Sequence, residues 1–332
     1  MTEGSRTRPR ARAPREIEWP TLVLLISVHG SWAAILITAG TLVPLVAAIA
    51  LVPVLVLQSS LMHEVIHGHP FRSRRLNEAC VALPLGLAVP YARFRDLHLA
   101  HHHDPDLTDP YDDPESNYLD PARWRRLGPA ARAVRRFNNT LLGRMAIGPV
   151  LSLADLWGRD GAAILRGDRA MLADYAAHAA GATLVLAAVL APPLPLPGYL
   201  AACYGALSVL KIRTFLEHRA HHAPRARTVV VEDRGPLSLL FLNNNFHAVH
   251  HARPALPWYR LPAAYAAERD DVLRRNEGYR YRSYWPVFRD HLLRAKDPVA
   301  HPLWTGGGDV PIGAPATPPP PPRPPAPGWR AE

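Results

Sequence analysis

The sequence predicts an all-α integral membrane protein, with about four transmembrane helices in two hairpins and a helical cap on the cytoplasmic side. Three observations predict it. No Asp, Glu, Lys or Arg occurs in the 44 residues from Trp19 to Met62 or in the 36 from Tyr175 to Leu210, and one membrane-crossing helix needs only about 20. Each of these gaps is divided near its middle by a turn signal. The basic residues all lie on the segments outside the gaps. Whole-chain averages hide this, since 48% hydrophobic and 20% charged residues would suit a soluble protein.

Along the chain, residues 1–17 carry Arg6, Arg8, Arg10, Arg12 and Arg15 and read as a disordered basic arm rather than a cleaved signal. The membrane domain is expected over residues 18–300. Thr38-Ala39-Gly40-Thr41 splits the first gap into spans near 19–38 and 42–61. The proline-rich run from Ala191 to Gly198 splits the second into spans near 173–191 and 198–216, because proline removes backbone donors and ends helices. The apolar runs 79–90 and 145–157 are too short or too polar to span, and read as re-entrant or interfacial. Residues 301–332 form a proline-rich disordered tail, with eleven prolines from residue 302 onward.

Charge gives the orientation. Both hairpin turns are uncharged, so every basic segment falls on one side, and the positive-inside rule makes that side the cytoplasm. Both termini are then cytoplasmic, in what reads as a bacterial inner membrane. The net charge of +10 is carried almost wholly by arginine, Lys211 and Lys296 being the only lysines. No zinc finger, RNA-binding aromatic signature or isolated basic helix is present, which argues against nucleic acid as a partner. Two cysteines, Cys80 and Cys203, make no disulfide framework.

Seventeen histidines are the anomaly, and most fall in four clusters. These are His63, His67 and His69; His98, His101, His102 and His103; His218, His221 and His222; and His247, His250 and His251. His63 and His67 stand one helical turn apart. His98, His101 and His102 repeat the i, i+3, i+4 spacing that puts three side chains on one helix face, as do His247, His250 and His251. Imidazole is the commonest metal-ligating side chain and suits iron, zinc and copper. All four clusters fall on the cytoplasmic side near helix ends, where they can converge. Eight or more imidazoles exceed the needs of one ion, so a two-metal centre is implied. Some of Asp104, Asp106, Asp109, Asp112, Asp113 and Glu115 are placed to accept hydrogen bonds from ligand imidazoles. His29, His178, His291 and His301 read as incidental.

The pattern resembles the integral-membrane fatty acid desaturase and hydroxylase superfamily, whose members carry the boxes HxxxH, HxxHH and HxxHH around paired hairpins. The matching residues are His63 to His67, His98 to His102 and His247 to His251, and the likeness covers roughly residues 20–290. Asp109 to Ser116 and Pro257 to Pro262 are similar to bacterial members. The resemblance implies two iron ions, dioxygen as co-substrate, and removal of hydrogen from an acyl chain. The implied ligands are His63, His67, His98, His101, His102, His247, His250 and His251, with His218 in the position of a further ligand after the fourth span. Thr214 stands where animal acyl-CoA members hold a water with asparagine. His69, His103, His221 and His222 exceed the pattern. No cytochrome b5-like heme motif is fused to the chain, so electrons are expected from a separate ferredoxin, flavodoxin or cytochrome with its reductase. The substrate is expected to be a fatty acyl lipid or thioester, and membrane lipids surround the helices.

The boxes alone leave desaturation, hydroxylation and carotenoid ketolation or hydroxylation open. A different class is raised by His63-Glu64-Val65-Ile66-His67, which spells the HExxH of zinc proteases, with Glu64 as general base. That chemistry gives no role to the other six box histidines. A metal transporter would place its ligands within the spans, where only His29 and His178 occur.

Overall fold

The computed structural model describes residues 17–39, 43–191 and 194–304. Most of the basic arm (1–16) and of the proline-rich tail (305–332) lies outside them, as do residues 40–42 and 192–193 of the two hairpin turns. Along the described chain, α1 (Trp19–Thr38) and α2 (Pro44–Ile66) make the first pair. Each opens with proline in its first turn, where the missing N–H costs no helical hydrogen bond. Next come α3 (Arg74–Cys80), α4 (Tyr91–His103), α5 (Pro121–Arg126), α6 (Pro129–Asn138), α7 (Leu141–Ala146) and α8 (Gly148–Leu165). The second pair is α9 (Arg169–Leu190) and α10 (Leu196–Thr214). Asp168 caps α9 by accepting the Met171 N–H at 3.0 Å. The C-terminal part holds α11 (Pro236–Leu240), α12 (His247–Ala252), α13 (Leu261–Arg275) and α14 (Tyr284–His291). It also holds a short parallel pair, β1 (Val230–Val231) and β2 (Arg280–Tyr281), with Val230 opposite Arg280.

Three of the four expected spans, α1, α2 and α9, are long and apolar enough to cross a membrane. They expose Ile26, Ile37, Leu45, Ile49, Leu184 and Leu190, an apolar surface that acyl chains would cover. The fourth expected span forms α10, 19 residues long, which carries Lys211 and Arg213 in its last turn. It packs along α2 and buries Tyr199, Ala202, Cys203 and Ala206. The core between them holds Leu51, Leu55, Leu61 and Leu85.

The apolar run 79–90 forms a non-helical loop from Val81 to Pro90, wedged among the long helices. Carbonyls without a ladder partner are costly in an apolar setting, and here each of four finds a side chain from a different helix. Gln58 of α2 donates to Leu83 O at 3.4 Å, Tyr199 of α10 to Leu85 O at 2.6 Å, His178 of α9 to Leu87 O at 2.8 Å, and Trp157 of α8 to Ala88 O at 3.2 Å. His178 is therefore not incidental, as its sequence position suggested. Trp32 of α1 completes the set by donating to Tyr199 Oη at 2.9 Å. α9 approaches the loop so closely at Gly181 that a Cβ there would lie 2.9 Å from Pro84 Cδ. Tyr199→Phe keeps the ring but leaves Trp32 Nε1 buried without a partner and Leu85 O with only the weak Cys203 S–H at 3.9 Å. The expected loss is about 2–4 kcal/mol, read as a lower melting temperature in detergent.

The loop leads straight into α4, whose orientation is fixed by a second device. Arg93 Nε and Nη2 clasp Asp160 of α8 at 2.8 and 2.9 Å, and Tyr175 of α9 donates to the same carboxylate at 2.9 Å. A bidentate guanidinium–carboxylate pair is directional as well as strong, so it sets which face of α4 turns inward.

Candidate metal centre

The inward face of α4 carries His98, His101 and His102. His63 lies in the last turn of α2 and His67 caps its end, where Gly68 turns the chain away at φ +93°. α12 brings His247, His250 and His251. It is pinned from beneath, because Ala248 N donates to Val229 O at 3.0 Å and Asn245 Nδ2 donates to Val231 O at 2.6 Å. His218 lies four residues beyond α10, bridged through its backbone to Thr228, with Lys296 Nζ donating to its carbonyl at 3.2 Å.

These nine histidines gather into two groups. His63, His67, His98, His102 and His250 form one, and His101, His218, His247 and His251 the other. Within each group all potential ligand atoms lie within 4.8 Å of one another. The groups adjoin, with the rings of His102 and His251 stacked at 4.3 Å between centroids. Each three-histidine box is shared. α4 gives His98 and His102 to the first group and His101 to the second, while α12 gives His250 to the first and His247 and His251 to the second.

The donor set fits a cation. Nε2 atoms face each other at 3.0 Å for His67 and His98 and for His101 and His218, at 3.1 Å for His102 and His250 and for His218 and His247, and at 3.2 Å for His247 and His251. The Nδ1 side is already committed on several rings. His98 Nδ1 donates to Glu115 at 2.9 Å, His101 Nδ1 to Asp113 at 2.7 Å and His247 Nδ1 to Asn244 Oδ1 at 3.0 Å. A neutral ring that donates through Nδ1 keeps a lone pair on Nε2. His218 Nε2 has at most one proton, so it cannot satisfy both His101 and His247. His63 Nε2 is buried and has no hydrogen-bond partner at all. Converging, uncompensated lone pairs of this kind are what a first-row transition metal takes up.

Burial favours the neutral, ligating form of most rings. Burial and the neighbouring His98 push His67 down to about 3 and His102 to about 2, and burial with His101 takes His218 to about 3. His101 differs. Burial opposes its charge, but Glu115 and Asp113 outweigh that and raise it to about 9. Of the six acidic residues between Asp104 and Glu115, these two alone hydrogen-bond rings of the two histidine groups. Asp109 instead holds the loop, accepting from the N–H groups of Tyr111 and Asp112. Asp113→Asn keeps the shape and gives up the charge behind His101. Metal affinity is expected to fall about 10-fold or more, measured as metal retained during titration with a chelator.

Asn244 and Glu217 were missed in the sequence. Glu217 Oε1 lies 3.7 Å from His247 Nδ1 and pairs with Arg213 at 2.9 Å. The signal was present, since one adjoins His218 and the other lies three residues before His247. The remaining histidines stay outside both groups. His69 pairs with Glu18 at 2.7 Å, His221 lies 3.4 Å from Glu277, and His103 and His222 are exposed. His301, read as incidental, contacts Thr108 Oγ1 at 3.2 Å and packs edge-on against Tyr118. Thr214 Oγ1 is buried with no hydrogen-bond partner. Glu64 Oε2 accepts the Trp258 N–H at 3.1 Å, and its other oxygen lies 4.0 Å from His63 Nδ1.

A family model described as fatty acid desaturase matches residues 38–285, about three quarters of the chain, and all nine histidines fall within it. No curated protein matches the chain significantly.

Proposed function

The chain belongs to the fatty acid desaturase family, and on that premise we propose that it is a membrane di-iron, dioxygen-dependent acyl desaturase. The observation that carries the reading is the pair of adjoining imidazole groups at the ends of apolar helices. Two irons, when bound, would let dioxygen, two electrons and two protons convert a CH₂–CH₂ pair into CH=CH with release of two waters.

The protein's own part is binding, orientation and shelter. His63, His67, His98, His102 and His250 would hold one ion, and His101, His218, His247 and His251 the other. Asp113, Glu115 and Asn244 keep the Nδ1 protons of His101, His98 and His247, and so aim Nε2 inward. His63, His98, His101, His247 and His250 are buried, which keeps bulk water from the reacting atoms. No ring acts as acid or base. The apolar helices supply the surroundings that an acyl chain needs. The metal groups face the cytoplasm on this reading, and electrons arrive from a separate ferredoxin, flavodoxin or cytochrome.

The test is lipid mass spectrometry of a heterologous host supplied with a reductase system. New unsaturated acyl chains are expected only when the gene is present. Hydroxylated or ketolated lipid in their place would move the chain to another reaction of the same family. Unchanged lipid from a protein that carries its two irons would overturn the reading.

A further inference from the structure

Residues 121–154 hold seven arginines and no Asp, Glu or Lys. One of them, Arg144, is buried, with Nε donating to Asn138 O at 3.0 Å. The others stand on α5 and α6. Arg125, Arg132, Arg135 and Arg136 pair with no carboxylate among the described residues. Arg132 and Arg136 are instead steadied over the Trp124 ring, their guanidinium carbons 5.7 and 5.6 Å from its centroid.

The same stretch is also apolar where it is exposed. Val134 and Phe137 lie one turn apart on α6 and are 43% and 40% exposed, and Leu142 and Val150 continue the strip. Its depth can be read from α10. Tyr204, near the middle of that helix, donates to Ala146 O at the end of α7. The start of α8 therefore lies level with the interior of the helix bundle, and α6 packs on α7 just before it.

We propose that α5 and α6 form a membrane-surface element that binds the headgroups of anionic phospholipids, with Val134, Phe137 and Leu142 among the acyl chains. A helix with arginines beside exposed apolar side chains suits a charged interface, and the arginines without carboxylate partners are attracted by a net negative surface charge that a zwitterionic bilayer lacks. A bilayer with anionic headgroups covers both the arginines and the apolar strip. The proposal stands apart from the reaction assigned above, because it needs no turnover.

Hydrogen exchange of the peptide covering 129–138 tests it, using the full chain in nanodiscs of phosphatidylcholine alone or with about one third phosphatidylglycerol. Exchange should slow roughly tenfold or more with the anionic lipid, and the difference should shrink in high salt, where the Debye length falls to about 3 Å at 1 M. Arg125→Glu with Arg135→Glu, which spares the arginines stacked on Trp124, should abolish the difference. Phe137→Ser should reduce protection while retaining the lipid preference. Equal exchange in both nanodiscs would overturn the proposal. So would protection that appears only when an acidic ferredoxin is added, which would make this face a carrier-docking surface.

Discussion

His101→Ala is expected to abolish product and empty the second metal group. His101 is fully buried, its Nε2 faces His218 at 3.0 Å and its Nδ1 holds Asp113. The substitution removes one of four imidazoles and leaves a buried carboxylate without its partner. Loss of an outer partner alone costs about 10–100-fold, so loss of the ring itself should exceed 100-fold and bring unsaturated lipid to background. His250→Ala makes the matching test on the first group. Metal content and melting temperature, measured on the same preparations, separate loss of a metal from loss of the fold. His222→Ala, at an exposed position outside both groups, should leave product and metal unchanged. Wild-type levels of unsaturated lipid in either buried variant would refute the assignment.

The second large effect concerns the fold. Gly143→Ala should prevent stable folding, although alanine is ordinarily the better helix former. A Cβ at Gly143 would lie 1.7 Å from Phe137 O and 2.3 Å from Phe137 C, both backbone atoms that no rotamer change can move. The contact is close because α6 and α7 are joined by a tight turn, in which Thr140 Oγ1 donates to Phe137 O and accepts from Gly143 N. Relieving the overlap means separating α6 from α7. The cost is on the order of 4 kcal/mol, at the upper end of single substitutions, and melting curves would show a fall of about 10 °C or an unfolded protein. Gly158→Ala in α8 is the control, since its Cβ would meet nothing within 4 Å. It should raise stability by up to about 1 kcal/mol.

Much of this architecture was legible from charge and spacing. The two charge-free gaps located four helices to within a few residues at their ends, because a long uncharged run has few other stable arrangements. The HxxHH spacing placed three rings on one face of α4 and of α12, because helical periodicity is a local property. The sequence located α10, but nothing local records that it packs along α2. It also undervalued His178 and gave no sign of Gln58 and Trp157, whose partners are the carbonyls of the 81–90 loop.

By itself, then, the sequence determined which histidines could share a helix face, and their number implied more than one ion. Only the tertiary structure decided how they divide. His98 and His102 part from His101, and His250 parts from His247 and His251, although each set shares one helix face. It also chose Asp113 and Glu115 from six acidic candidates and brought Glu217 and Asn244 to the rings. Spacing fixes only the direction of a side chain from its own helix. The partner it meets depends on how α2, α4, α10 and α12 are set against one another, and the Arg93–Asp160 clasp and the pinned loop make that choice from far along the chain.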